Sequence, residues 1–172
     1  ARTSAPTSER RTLHIGLDLF ADAGTKICAP LEGTVAGFAN NTEKLDYGPV
    51  IVLRHELDDA VFHTLYGHLS VESLQNKKIG QVIQKGEGFA TLGAAPINGD
   101  WPPHLHLQIL VDALSLNHNS DLLTDFPGVA YPNERDVFKI ICPDPNLILG
   151  LDAKRLAVPK LDITSHVKER KT

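Results

Sequence analysis

The 172-residue chain is poor in several residue types that identify large classes of protein. Methionine is absent even at position 1, and there are only 2 cysteines and 1 tryptophan. Cys28 and Cys142 lie far apart in the sequence, so they could either pair or stay free, and their spacing is not that of a cysteine-based zinc site. No apolar run approaches the roughly 18 residues of a membrane-spanning helix. These absences exclude a zinc–thiolate module and a helical membrane span.

A strong excess of charge of one sign is also lacking. The chain contains 17 lysines and arginines and 21 aspartates and glutamates, for a net charge of −4. A nucleic-acid-binding protein usually carries a strong basic excess, so nucleic acid is excluded as the expected partner. Hydrophobic residues make up 42% and charged residues 22%, which is typical of a globular chain. The length predicts one domain. We place it at residues 11–150, between a polar lead-in (1–10) and a C-terminal stretch (151–172) that leads to a further domain. The missing initial methionine is consistent with a processed product or an excised piece.

Short apolar stretches punctuated by glycine and proline predict a mainly β fold. The predicted strands are residues 14–20, 25–29, 33–38, 50–55, 61–69, 88–92 and 104–111. One helix is predicted late in the chain, with Asp144 as its N-cap, Pro145 in its first position and residues 146–157 continuing it. The expected architecture is a compact antiparallel assembly with one or two peripheral helices.

Two histidines, His104 and His106, are separated by one residue in a predicted strand. Because side chains alternate along a strand, both imidazoles point to one face, with Cα atoms roughly 6.6 Å apart. Leu105 points the other way, into the core. A pair of imidazoles on a rigid strand suits a metal ligand beside a catalytic base. The spacing alone favours the alternative, a solvated polar strand face.

A second pair, His14 and Asp18, is four residues apart. On a helix this spacing places both side chains on one face. On a straight strand they would be roughly 13 Å apart, too far to share a metal. Gly16 between them permits a bend. The sequence leaves open a helix, a bent strand, or an ordinary surface turn.

Histidine and aspartate are suitable zinc ligands, and three protein ligands leave a fourth position for water, as in catalytic zinc sites. Zinc lowers the pKa of such a water towards about 7 and polarises a carbonyl group. A further histidine can take the proton of the water or stabilise a tetrahedral intermediate.

Three motifs follow one another along the chain: His-x-x-x-Asp, Tyr-x-His-Leu and His-Leu-His. In this order they are specific, whereas each alone is weak. Through them the chain resembles the lysostaphin-type (LytM-like) zinc metallopeptidases, collinearly over roughly residues 11–111. The resemblance is carried by residues 11–18, 24–35, 46–55, 66–70 and 103–107.

The resemblance implies an open antiparallel β-sheet or sandwich with the active site in a groove. It implies zinc bound by His14, Asp18 and His106, and catalytic roles for His68 and His104 in polarising water or stabilising the oxyanion. The family's reaction is hydrolysis of peptide bonds in bacterial cell-wall peptidoglycan. We therefore expect a zinc cofactor and a peptide or amide substrate.

Residues 92–104 replace the short turn that is usual before the histidine pair in this family. Together with residues 125–130 and 142–147 they are similar to the peptidase-like module of certain fusion proteins. Those proteins also contain a kinase-like phosphotransferase region and a class III, pyridoxal-phosphate aminotransferase. This resemblance implies covalently linked neighbouring domains and favours the cytoplasm.

Tyr66 and Trp101 are the candidate substrate contacts. Tyr66 could instead pack beneath His68, and Trp101, next to two prolines, could plug one end of the barrel. His55 and His63 are interpreted as structural or surface histidines.

Two functions remain in competition at this point. The first is a zinc-dependent peptidase or amidohydrolase. The second is a non-catalytic peptide-binding or regulatory module that keeps the zinc site. A biotinyl- or lipoyl-type carrier is set aside, because no lysine lies in a suitable tight hairpin.

Overall fold

Antiparallel strands dominate residues 10–58, 60–111, 120–152 and 154, which the computed structural model describes. The strands of this part of the chain are β1 (Leu13–His14), β2 (Leu17–Phe20), β3 (Lys26–Cys28), β4 (Gly33–Asn41), β5 (Gly48–Leu57), β6 (Ala60–Gly67), β7 (Val82–Ile83), β8 (Gly88–Thr91), β9 (His104–Val111) and β10 (Val129–Ala130).

One six-stranded sheet organises the fold, with the strand order β2–β9–β6–β5–β4–β7. Two smaller sheets, β1–β10 and β3–β8, flank it. Every pairing in the three sheets is antiparallel. The expected mainly β, open antiparallel fold is therefore confirmed.

Strand β5 explains why the sheet is buried on both faces. Its run of apolar, mostly β-branched side chains from Val50 to Leu53 is fully buried, and such residues favour strands. The alternation along the strand sends Ile51 and Leu53 into one core cluster and Val50 and Val52 into the other. On β9 the same alternation places His104, His106 and Gln108 on the face opposite to Leu105 and Leu107.

The predicted strand 14–20 is interrupted. The structure has β1 and β2 there, separated by Ile15 and Gly16, so of the alternatives left open for this segment the bent strand is correct. The other predicted strands are present with ends shifted by a few residues, and β9 has the predicted bounds. The expected lead-in and C-terminal stretch lie almost wholly outside the described residues.

The described helices are short: α1 (Ser120–Thr124), α2 (Arg135–Ile141) and α3 (Asn146–Leu149). The prediction of one helix from Asp144 to residue 157 is wrong in extent, because Gly150 adopts a left-handed conformation (φ +61°) and ends α3. Its last residues lie outside the described part of the chain. Helix α2 was not predicted. None of the described helices is both long and apolar enough to cross a membrane.

His55 is a structural histidine. It is buried on β5, where its Nδ1 lies 2.7 Å from the Glu32 carbonyl oxygen and its Nε2 lies 2.7 Å from Thr64 Oγ1. Its ring stacks on Phe62 at a centroid distance of 5.0 Å. Burial lowers the pKa of His55 below its ordinary value, although the hydrogen bond to Glu32 opposes the shift.

This shift predicts a loss of stability in mild acid. Because the unfolded chain binds a proton at His55 more readily than the folded one, the contribution of His55 is complete above about pH 6.5 and falls as the pH drops through that value. Urea unfolding at pH 7.5 and pH 5.5 should show a smaller loss of unfolding free energy in His55→Gln than in the wild type. Equal losses in the two proteins would contradict this account.

Candidate active site

A bend at Gly16 brings His14 and Asp18 together. Gly16 has φ +111°, a conformation that other residues rarely adopt. A Cβ at this position would also lie 2.7 Å from the Leu107 carbonyl oxygen and 3.1 Å from His106 Nε2. The resulting turn between β1 and β2 brings His14 Nε2 to 3.2 Å from Asp18 Oδ1, where a straight strand would separate the two residues by roughly 13 Å.

Strand pairing supplies the third member of the cluster. In the register of β2 and β9, Asp18 lies opposite His106 and Phe20 lies opposite His104. Side chains that face each other across an antiparallel pair lie on the same face of the sheet. His106 Nδ1 is accordingly 3.1 Å from Asp18 Oδ1 and 3.2 Å from His14 Nε2.

These three atoms form a nearly equilateral triangle with sides of 3.1–3.2 Å. In a tetrahedral zinc site with metal–ligand distances of about 2.0 Å, ligand atoms lie about 3.3 Å apart. Two imidazole nitrogens and one carboxylate oxygen are also a donor set that zinc accepts. His106 is buried, whereas Asp18 and His14 are partly exposed towards the groove. The residues therefore fit a zinc ion with one side open to solvent.

Asp18 is held in its ionised form. Burial opposes ionisation, but the adjacent imidazoles of His106 and His14 outweigh it and keep the pKa of Asp18 well below its ordinary value. The carboxylate is thus negatively charged at neutral pH, as a metal ligand must be.

His68 and His104 lie beside this cluster, with ring centroids 4.4 Å apart. Each donates from Nδ1 to a backbone carbonyl oxygen, His68 to Asn98 at 2.9 Å and His104 to Pro102 at 2.6 Å. A carbonyl oxygen can only accept, so Nδ1 carries the proton in both rings. In the neutral ring Nε2 is then the free acceptor, and in His104 this atom lies 3.8 Å from Asp18 Oδ1.

Burial, with a smaller contribution from neighbouring His104, lowers the pKa of His68 to about 4. His68 is therefore neutral at physiological pH, and its Nε2 can accept a proton. This is the state that a general base requires.

The segment before β9 supports both histidines. Asn98 is fully buried, and its side-chain Nδ2 donates to the Trp101 carbonyl oxygen at 2.9 Å. The carbonyl groups that receive His68 and His104 belong to Asn98 and Pro102. The unusual sequence before the histidine pair thus orients the two rings as well as shaping the groove.

A groove with a volume of about 990 Å³ contains the cluster, and Trp101 lines it. Aromatic and aliphatic side chains form much of its wall, while three cationic residues lie at its margin. The apolar lining residues include Phe20, Leu45, Trp101, Phe126 and Val129, and the cationic ones are Arg10, Arg11 and Lys44.

Tyr66, in contrast, is not a groove residue, and its expected role as a substrate contact is wrong. It is 1% exposed, packs edge-on against Phe89 and accepts a hydrogen bond from Thr64. The reason is strand alternation: Tyr66 pairs with Leu107 and shares its core face, whereas the next residue, Gly67, pairs with His106. His55 and His63 are buried on β5 and β6, and neither lines the groove.

Gln108, which is not among the residues predicted for the site, determines the tautomer of His106. Gln108 is fully buried, and its Nε2 donates to the Pro127 carbonyl oxygen at 3.4 Å. That contact turns its Oε1 towards His106 Nε2, 3.2 Å away. Nε2 must then carry the proton, which leaves the lone pair of Nδ1 pointing at Asp18 and His14. The available signal was the alternation of residues 104, 106 and 108.

Tyr47 was also missed. Its ring lies 5.2 Å from that of His106 and 6.0 Å from that of His68, and its hydroxyl donates to the Phe126 carbonyl oxygen at 2.9 Å. Burial raises the pKa of Tyr47 well above its ordinary value, so the hydroxyl stays protonated. Gly67 makes room for the ring, since a Cβ there would lie 2.7 Å from it.

Comparison with known proteins gives matches to a family model, a curated relative and several solved structures. A model of Peptidase family M23 matches residues 12–118. A curated relative from Haemophilus influenzae, described as an uncharacterized metalloprotease, is 32% identical over 130 residues, or 73% of this chain and 24% of the relative. The chain thus spans about a quarter of the length of that relative.

Among solved structures, the catalytic domain of lysostaphin from Staphylococcus simulans is 26% identical, with 78% of this chain and 85% of that chain covered and a TM-score of 0.48. LytU is 31% identical over 57% of this chain and 61% of its own, with a TM-score of 0.46.

If the cluster binds zinc, Gln108→Leu should weaken that binding by about 10- to 100-fold, because His106 loses the acceptor that holds its ring. Competition with a chromogenic chelator would measure the affinity, and side-chain ¹⁵N NMR of the metal-free protein would report the His106 tautomer. Gln84→Leu is the matched control, since Gln84 is exposed and adjoins β7 at the far edge of the sheet. A correctly folded Gln108→Leu protein with unchanged affinity and tautomer would contradict the argument.

Proposed function

Because the chain belongs to peptidase family M23, we propose that it is a zinc-dependent hydrolase that cleaves a peptide or amide bond. The observation that carries the proposal is the convergence of ligand atoms from His14, Asp18 and His106 to within 3.1–3.2 Å of one another. Two further histidines with free Nε2 atoms beside them supply the groups that proton transfer needs.

His14, Asp18 and His106 would hold the zinc ion through Nε2, Oδ1 and Nδ1. When bound, zinc supplies Lewis-acid chemistry, polarising the substrate carbonyl and making water more acidic. Asp18 contributes the negative charge, Gln108 keeps Nδ1 of His106 unprotonated, and the bend at Gly16 keeps His14 beside Asp18.

His68 and His104 transfer protons in the proposed reaction. Neutral His68 accepts a proton from the attacking water at Nε2, and the resulting imidazolium can return it to the leaving amine. A protonated Nε2 on either ring can donate a hydrogen bond to the negative oxygen of the tetrahedral intermediate. The carbonyl groups of Asn98 and Pro102 keep both rings turned so that Nε2 remains the reacting atom. Trp101 contacts the substrate from the groove wall.

Removal of a ligand should abolish both metal binding and hydrolysis. We expect Asp18→Ala and His106→Ala to lose stoichiometric zinc by elemental analysis and to lower hydrolysis of a peptide mixture by roughly a thousandfold or more. Asp22→Ala is the control, since Asp22 is exposed on the same segment. A wild-type protein that neither binds zinc nor hydrolyses any peptide after zinc is added would refute the proposal.

The double variant His68→Ala/His104→Ala separates a hydrolase from a binding module. For a hydrolase we expect zinc to be retained while the rate falls by about 10²- to 10⁴-fold, the usual contribution of general acid–base catalysis. The same peptide mixture and elemental analysis apply. If the parent protein keeps its full function with the folded double variant, the non-catalytic peptide-binding or regulatory role is the correct one.

We also propose that the chain works as one module of a longer protein with kinase-like phosphotransferase and class III aminotransferase regions. The similarity of residues 92–104, 125–130 and 142–147 to such fusion proteins supports this. The fact that the chain spans about a quarter of its curated relative is compatible with it.

A further inference from the structure

Phe20 is a large apolar side chain that the fold leaves in solvent beside the candidate active site. It is 71% exposed and lines the groove. Its ring stacks on the imidazole of His104, with centroids 5.0 Å apart and planes inclined by 27°. Leaving so much apolar surface in water is unfavourable. An exposed aromatic residue in a concave site is typical of a surface that a ligand covers.

Trp101 bounds the same histidine from another direction. Its ring is nearly perpendicular to that of His104, at 88° and a centroid distance of 6.4 Å, and it lies 6.2 Å from the ring of His68. Pro102, next in sequence, also lines the groove. His104 is thus flanked by two aromatic side chains, and together Phe20, Trp101 and Pro102 form what we call the aromatic wall.

The position of Phe20 relates the aromatic wall to the bond that would be cut. Asp18 and Phe20 are two residues apart on β2, so their side chains point to the same face, with Cα atoms roughly 6.6 Å apart. An extended peptide advances by a similar distance in two residues. If a substrate carbonyl lies near Asp18 and the substrate runs along β2, the side chain of a substrate residue within two positions of that carbonyl lies over Phe20.

We propose that the aromatic wall is a subsite for a bulky apolar side chain, aromatic or branched aliphatic, within two residues of the cleaved bond. This inference rests on the proposed function, because it takes the cluster around Asp18 as the point of cleavage. It names the substrate class as peptides or amides with such a residue, in preference to chains of glycine. Phe20 determines this specificity, and its side chain contacts the substrate side chain directly.

Trp101 provides a direct test, because it is the only tryptophan of the 172 residues. Blocked pentapeptides that have phenylalanine, leucine or glycine at the centre and glycine elsewhere would be titrated into the zinc-supplied chain while tryptophan emission is recorded. We expect the phenylalanine and leucine peptides to bind at least about tenfold more tightly than pentaglycine, as burial of a large apolar side chain implies.

The Phe20→Ala variant should reduce this preference to less than about threefold, and Phe20→Leu should restore much of it. Ile140→Ala, an exposed apolar residue of α2 outside the groove lining, should leave the preference unchanged. The inference is overturned if pentaglycine binds as tightly as the phenylalanine peptide, if folded Phe20→Ala keeps the tenfold preference, or if no peptide changes the emission of Trp101.

Cleavage of the same peptides, followed by mass spectrometry, keeps this result separate from the proposed function. Preferential binding without cleavage of these peptides or of the peptide mixture would refute the hydrolase proposal, while still supporting a binding site for an apolar side chain at the aromatic wall. Cleavage of the glycine and phenylalanine peptides at equal kcat/KM would refute the proposed subsite and support the hydrolase proposal.

Discussion

The candidate active site depends on the close approach of β2 to β9 that Gly16 permits. Without a side chain at position 16, β1 and β2 bend so that His14 turns back over Asp18, and the backbone passes against Leu107 and the His106 ring. The pairing of Asp18 with His106 then completes the three-atom cluster. A residue with a Cβ at position 16 would collide with the Leu107 carbonyl oxygen and would resist the positive φ. The geometry of this candidate metal site therefore depends on the path of the backbone as much as on the identity of the three residues.

A second constraint acts on three histidines of the site: one ring nitrogen of each is hydrogen-bonded to a carbonyl-type acceptor. Asn98 and Pro102 supply backbone oxygens to His68 and His104, and Gln108 supplies a side-chain oxygen to His106. The acceptor in each case decides which nitrogen is free. His68 and His104 thereby present Nε2, whereas His106 presents Nδ1. Chemically identical side chains thus present different ring nitrogens to the cluster, according to the acceptor that each one meets.

Much of this could be predicted from residue pattern. The alternation in His104-Leu105-His106 correctly indicated two imidazoles on one strand face, and the order of the three motifs identified the family and the antiparallel fold. The site residues His14, Asp18 and His106 do converge, as the resemblance implied. Local pattern predicted the late helices less well. Gly150 ends α3 earlier than predicted, and α2 was not predicted because its sequence has no strong helical periodicity.

Near neighbours along the chain are enough to specify the period-2 strands, the shared face of residues 104 and 106, and the glycine that allows a bend. Contacts between distant segments exist only in the folded chain, and the tertiary structure sets what depends on them. It put Tyr66 in the core, because its cross-strand partner is Leu107, and it left Phe20 in the groove, because its partner is His104. It also assigned the histidine tautomers, since their acceptors lie in other strands or in the segment before β9. Strand register and long-range hydrogen bonding couple residues up to about ninety positions apart. A short stretch of sequence does not specify such couplings.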